Sequence, residues 1–351
     1  MRKHHYVKIG KKIMILLLFF VIFLEEISQG IPDFLVDQMF PYFTNDAKAS
    51  DTSLLSMLIL KENVTKEEEK NTTELAENTE APVMEEVEET VSVSNPVVYS
   101  RADLESYDFL LSNFYLVDST TTITQNELNG ARLLDMDLTV NLEGTEPKIL
   151  IYHTHGSEEF ADSRPGVAED TVIGVGDELA RILEEEYQIA VYHDRTIYDQ
   201  VNGKLDRNKA YEMSREGALN ILKQYPSIEV VIDLHRDGVN ENTRLVTNVD
   251  GKPTAKIMFF NGMSRSATNG DIDYLYNQYK QQNLAFSLQM QLKAKSYFPD
   301  FVRKIYLKAY KYNLDLKPRA VLVEVGGQTN TLEEAKNAME PFAKILVEVL
   351  S

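Results

Sequence analysis

KILIYHTHGSE, residues 148–158, decides how the rest of the chain is read. Its apolar run ends at Tyr152, and His153, His155 and Glu158 follow at once. Two later stretches end the same way. IEVVIDL (228–234) leads into His235, Arg236 and Asp237, and AVLV (320–323) leads into Glu324 and a Val-Gly pair. Short runs of apolar and β-branched residues without polar alternation read as strands buried on both faces of a parallel sheet. In an open α/β sheet, ligands bind beyond the carboxyl ends of the strands. Three strand ends far apart in sequence are therefore expected to meet at one metal.

Working outward, helical patterns separate the strands. Val172–Glu186 places Val172, Val175, Leu179, Ile182 and Leu183 at helical spacing, and Lys209–Lys223 does the same with Ala210, Met213, Ala218, Ile221 and Leu222. Ile189–Tyr192 and Ala255–Asn261 read as strands, Tyr274–Tyr297 as a long helix, and Leu332–Leu350 as the closing helix. Strands alternating with helices predict an α/β fold with a mostly parallel central sheet flanked by helices. Residues 106–351 form the expected catalytic domain, with 106–144 as a lead-in packed on it.

At the strand ends, imidazoles plus a carboxylate are a common donor set for catalytic zinc, one that leaves a coordination position open. His155 and His235 are the natural imidazoles, and Glu158, three residues past His155, can return to the same ion. Glu159 and Glu169 are its rivals, Glu169 because it precedes a helix. A glutamate at the end of a buried apolar strand is costly without a compensating charge or metal. Glu324 is thus the expected catalytic acid/base. His153 is two residues from His155, so a continuing strand would point both to one face, whereas a bend would leave His153 as a support. Arg236 and Asp237 read as groups that orient metal-bound histidine or grip substrate. His193 reads as structural.

Composition narrows the chemistry. There are no cysteines, which excludes disulfides, thiolate metal sites and cysteine nucleophiles. A formal charge of -19 argues against nucleic acid as a partner. The N-terminus carries Arg2, Lys3, Lys8, Lys11 and Lys12 before the apolar run Ile13–Leu24 and the pair Glu25-Glu26. That is an export pattern. Residues 1–30 are expected to be a single-pass anchor with its N-terminus inside, or a cleaved signal, so that the catalytic part lies outside the cytoplasm. Residues 31–60 form a membrane-proximal segment. Residues 61–98 form an acidic disordered linker, whose first thirty residues hold eleven Glu and three Lys.

ILIYHTHGSEEFADS, VGDELARILEE, VVIDLHRDG and VLVEVGGQTNTLEEA, in that order and with these gaps, resemble the stage II sporulation protein P family of endospore-forming Firmicutes. The likeness runs from about Tyr107 to the C-terminus. It implies a zinc-dependent peptidoglycan hydrolase, an N-acetylmuramoyl-L-alanine amidase with an associated cross-link endopeptidase activity, in a fold similar to the zinc amidases. The family's motif residues fall on His155, Glu158, His235 and Glu324, while the related zinc amidases would place the ligand carboxylate at Glu169. The resemblance further implies action at the sporulation septum before engulfment, beside a lytic transglycosylase and a membrane scaffold protein.

Two other classes stay open on the residues alone. An exported metallocarboxypeptidase-like enzyme shares the His-x-x-Glu spacing and would trim free peptides. A catalytically inactive cell-wall binding module would hold glycan without turnover.

Overall fold

The computed structural model describes residues 97–351 apart from Asn202. The expected anchor, the membrane-proximal segment and the linker up to residue 96 lie outside the described residues. Among the described residues, no helix is long and apolar enough to cross a membrane.

Two short helices open the described part, α1 (Arg101–Glu105) and α2 (Tyr107–Phe114). Ser100 and Ser106 cap them, their hydroxyls accepting from Asp103 N and Phe109 N, as serine does at a helix start. They deliver strand β1 (Tyr115–Val117), and a third short helix, α3 (Gly130–Leu134), follows. Then come β2 (Ile149–Tyr152), α4 (Val172–Glu185), β3 (Val191–His193), α5 (Arg207–Gln224) and β4 (Val230–Asp237). The chain continues through β5 (Ile257–Gly262), α6 (Lys280–Tyr297), β6 (Ile305–Lys308), β7 (Arg319–Gly327), α7 (Leu332–Asn337) and α8 (Met339–Leu350).

One seven-stranded sheet results, in the order β1-β6-β5-β7-β4-β2-β3. Neighbours are parallel throughout except at β5 and β7. The exception has a local cause. Between β4 and β5 the chain makes only a hairpin, Val246–Val249 with Lys252–Ala255, and no crossover helix. A parallel return needs a crossover, so β5 enters from the edge where β4 leaves and runs the other way. The α/β fold with a mostly parallel sheet between helices is therefore present, with residues 106–144 supplying an edge strand.

The two faces of the sheet carry separate apolar clusters. Ile149, Ile151, Val230, Ile232, Leu234, Val321 and Val323 join the larger one with α4, α6 and α8. Leu150, Tyr152, Val231, Ala320 and Leu322 join the smaller one with Ala218 and Ile221 of α5 and with Leu314 and Leu316 of the loop before β7. The period-two alternation of strand side chains sorts them.

Three expected elements shift. The closing helix breaks at Ala338, because Pro341 has no N–H to offer the carbonyl four residues back and its ring crowds that turn. The long helix begins at Lys280 rather than Tyr274, after a 3-10 turn at Asp273–Leu275 and a bond from Tyr279 N to Asn277 Oδ1 (2.8 Å). The expected strand Ala255–Asn261 divides between the hairpin and β5.

Candidate functional site

Three adjacent parallel strands, β7, β4 and β2, end at one edge. Glu324 of β7 lies directly across from His235 of β4, and Tyr152 of β2 across from Asp233. Just past Glu324 the register shifts, and Gly326 adopts φ +61°, a left-handed conformation natural to glycine. A Cβ there would also stand 2.7 Å from Asn330 Oδ1, which accepts from Gly327 N at 2.9 Å. The Val-Gly-Gly that follows Glu324 thus makes an irregularity in the strand, which resumes its pairing at Gly327 and Asp237.

β2 stops at Tyr152, and the next residues make a turn. His155 O accepts from Glu158 N (3.2 Å), Thr171 Oγ1 donates to Gly156 O (2.9 Å), and Val172 N donates to Glu158 O (3.1 Å). The turn is thereby fastened to the N-terminus of α4. It brings the His155 ring edge-on to that of His235, centroids 5.2 Å apart at 89°. Glu158 Oε2 lies 3.5 Å from His235 Nδ1 and accepts from Arg236 N at 3.0 Å, while Oε1 meets Arg207 at 3.3 Å. His155, Glu158 and His235 are all buried. They are the groups that could hold a metal, although among the described residues no three His, Asp or Glu side chains stand ready-gathered for one.

The electrostatics follow from this packing. Burial works against a charged His235, but Asp233 and Glu158 on either side of the ring outweigh it and hold the imidazole well above its ordinary value. Burial would raise Glu158, yet the hydrogen bond and charge of His235, with Arg236, bring it down to about 2. Burial lowers His155 to about 4, with help from the His235 charge. Glu324 is half-buried, and its Oε2 is sealed from solvent without a hydrogen-bond partner among the described residues. Burial pushes its carboxyl up to about 8, against the pull of His235 and with the repulsion of Glu158, Asp237 and Asp233. Desolvation beside like charges is the way active sites shift their carboxyls, which makes Glu324 a candidate.

The remaining sequence candidates make other contacts. His153 turns to the opposite face of the sheet, where Nδ1 lies 2.8 Å from Leu234 O and Nε2 lies 2.8 Å from His193 Nε2. His193 Nδ1 in turn meets Asp177 of α4 at 3.0 Å. Glu169 is exposed and pairs with Arg195 at 2.9 Å rather than with either site imidazole. Arg236 gives its main-chain N–H to Glu158, and its side chain to Glu159 O (2.8 Å). Asp237 binds Arg303 at 2.6 Å. The cleft lined by Thr139, Asn141, Lys148, Ser227, Glu229 and Arg319 lies at the other end of the same strands and contains none of these groups.

Sequence reasoning missed three residues. Asp233 accepts from Thr154 N (2.8 Å) and Thr154 Oγ1 (2.6 Å), and its Oδ1 comes within 2.8 Å of His235 Nε2, close but not aligned as a hydrogen bond. A carboxylate two residues before a histidine on a strand shares its face, so this signal was readable. Arg207 and Tyr211 come from the first turns of α5. Tyr211 stands edge-on to His155 at 5.5 Å. Nothing in the pattern of that helix distinguished them.

What the fold and site define is an α/β protein whose imidazoles and carboxylates converge beyond the ends of three parallel strands. The chain belongs to the stage II sporulation protein P family, whose match covers residues 32–347. It is similar to stage II sporulation protein P of Bacillus subtilis (strain 168), 27% identical over 220 residues, 59% of this chain and 52% of that protein. The chain thus spans about half the length of that relative. Solved structures with a weaker likeness include N-acetylmuramoyl-L-alanine amidase AmiC2 of Nostoc punctiforme, at 13% identity and TM-score 0.36 over 58% of this chain and 98% of that one. Another is N-acetylmuramyl-L-alanine amidase Ami1 of Mycobacterium abscessus, at 14% and 0.36 over 58% and 99%.

Proposed function

We propose that this chain is a zinc-dependent peptidoglycan hydrolase that cleaves the amide between N-acetylmuramic acid and L-alanine, with cross-link cleavage as a second activity, during thinning of the sporulation septum. The observation that carries the reading is Glu324 set directly across from His235 on adjacent strands, with His155 and Glu158 delivered beside them by one turn.

The residues fit a divalent cation in chemistry. Asp233 and Glu158 flank His235 and hold a proton on it, and metal binding releases protons of this kind. His155, His235 and Glu158 would hold the zinc. When bound, zinc polarises the scissile carbonyl and lowers the pKa of water towards neutrality. The other work falls to the chain. Asp233 fixes the His235 ring, and Arg236 N and Arg207 fix Glu158. Glu324, set across from His235, takes a proton from the attacking water and passes it to the departing nitrogen. A carbon–oxygen bond forms, the carbon–nitrogen bond breaks, and the products are a muramic carboxylate and the free amine of L-alanine.

In this reading residues 13–24 anchor the chain in the cell membrane with the catalytic domain outside. A lytic transglycosylase and a membrane scaffold protein act beside it. The charge pattern of the N-terminus and the family resemblance support these assignments.

The test is digestion of purified sacculi by the full chain, with products identified by mass. Free stem peptides and intact glycan are expected, abolished by chelator and restored by zinc. Peptides shortened only from their C-terminal ends, or release unaffected by chelator, would overturn the reading.

A further inference from the structure

The Tyr211 ring is flanked by two others, and its main chain is held as well. It stands edge-on to His155 (5.5 Å, 84°) and edge-on to Tyr312 (5.5 Å, 72°). Its carbonyl accepts from Asn313 Nδ2 at 2.9 Å. The loop that supplies Tyr312 and Asn313 is strained. Tyr312 and Asn313 both take left-handed φ, +50° and +57°, and a bulky side chain there is a conformational outlier. Such strain persists only where surrounding contacts over-determine it. Here Asn313 Nδ2 also reaches Ser214 Oγ (3.3 Å), and Asp315 is bound by both arms of Arg215 (2.6 and 2.9 Å) and by Lys311 (3.0 Å). Three of those partners, Tyr211, Ser214 and Arg215, are on α5. The strained loop and the helix are thus tied together around Tyr211.

Tyr211 is half-buried, and its hydroxyl makes no hydrogen bond within the described residues. It lies one helical turn past Arg207, which holds Glu158, and the charges of Asp233, Glu324 and Glu158 all act on it. A hydroxyl donor held beside His155, with no partner among the described residues, is suited to a charge that exists only during reaction.

We propose that the Tyr211 hydroxyl is a catalytic hydrogen-bond donor of this site, meeting the carbonyl oxygen of the scissile amide as negative charge develops on it. This rests on the hydrolytic reading above. The hydroxyl donates and keeps its proton, so the bond changes of the hydrolysis are those already given.

Tyr211→Phe tests it, because phenylalanine keeps the ring against His155 and Tyr312 and removes only the donor. Full chain loaded with zinc would be assayed on purified muropeptides, with zinc affinity and melting temperature measured alongside. Loss of one such donor typically lowers kcat about 100-fold to 1,000-fold, and KM should change by less than about threefold. A phosphinate analogue of the amide, which carries the charged oxygen, should lose affinity for the variant, while the muramic product should not. If wild-type chain hydrolyses muropeptides and the variant keeps kcat within about threefold of it, this assignment fails and the hydrolytic reading stands. A fall in zinc affinity matching the fall in kcat would also overturn it, since the hydroxyl would then serve the metal site. A wild-type chain with zinc bound and no hydrolysis sinks both.

Discussion

Replacing Asp233 by Asn separates the brace of the site from its chemistry. The carboxylate is 1% exposed and makes three close contacts, with Thr154 N at 2.8 Å, Thr154 Oγ1 at 2.6 Å and His235 Nε2 at 2.8 Å. Hydrogen bonds to a charged group contribute about 1.5–3 kcal/mol, against about 0.5–1.5 for neutral pairs. Turning the two Thr154 bonds from charged to neutral therefore costs about 2 kcal/mol in the metal-free chain. The amide nitrogen adds a donor where Thr154 or His235 already donates. For zinc, loss of the carboxylate that orients a ligand histidine typically costs 10-fold to 100-fold in affinity.

Two measurements check these numbers. Urea unfolding of the full chain in chelator reads the stability, and zinc titration against a chromophoric chelator reads the affinity. The pH dependence has a definite sign. Burial works against a charged Asp233, but the charge of His235 and the Thr154 hydrogen bonds outweigh it and hold the carboxyl below the ordinary aspartate range. Its stabilisation is therefore full above the unfolded value and lost as pH falls through the folded one, so the gap between wild type and Asp233→Asn closes in acid. If the variant matched wild type in zinc affinity within about twofold while losing the expected stability, Asp233 would be a strap for Thr154 and no more.

Glu324→Gln should lower amide hydrolysis by about 100-fold to 10,000-fold with zinc affinity retained, as read by muropeptide turnover and zinc titration. Gly176→Ala adds helix propensity of about 1 kcal/mol, but the new Cβ would stand 2.6 Å from His193 Nε2 and 2.7 Å from His153 Nε2. Crowding of that kind costs about 1–3 kcal/mol, so a lowered melting temperature is expected. Glu334 closes the capping box of α7 and is bound by Arg244, by Asn330 Nδ2 (3.0 Å) and by Thr331 N (3.1 Å). These bonds outweigh burial and hold it below the ordinary 4.5. Glu334→Gln should destabilise the chain at neutral pH, and the difference should vanish as pH falls below the folded value of the wild-type carboxyl, measured by unfolding at several pH values.

The ends of β2, β4 and β7 were legible because each is a buried strand with a sudden polar terminus, a pattern that needs no knowledge of neighbours. β1 and β6 were not. They are three and four residues long, they flank one another at the edge of the sheet, and their burial is mixed. Arg207 and Tyr211 were hidden for a different reason. DRNKAYEM reads as the solvated start of any helix, and its role is set by how the strained Tyr312-Asn313 turn docks α5 over the strand ends. Docking of that kind depends on contacts a hundred residues apart. The orientation of His153 turned on where β2 stops, at Tyr152, which hydrophobicity alone does not fix.

That stop gives the two histidines of the HTH string separate tasks. Asp233 and His235 share the α5 face of β4 with Val231, while Val230, Ile232 and Leu234 face α4 and α8. His155 joins the first set. His153 joins the second, held neutral by burial that lowers it to about 3. A neutral ring with its N–H on Nδ1 donates to the Leu234 carbonyl, which can only accept. The peptide group next to His235 is therefore gripped from the face opposite the one on which His235 meets Glu158 and Asp233. Strand ends ordinarily fray, since their outer hydrogen bonds lack neighbours. With His153 beneath and Asp233 above, the end of β4 is braced on both sides, as a site built on rigid elements requires.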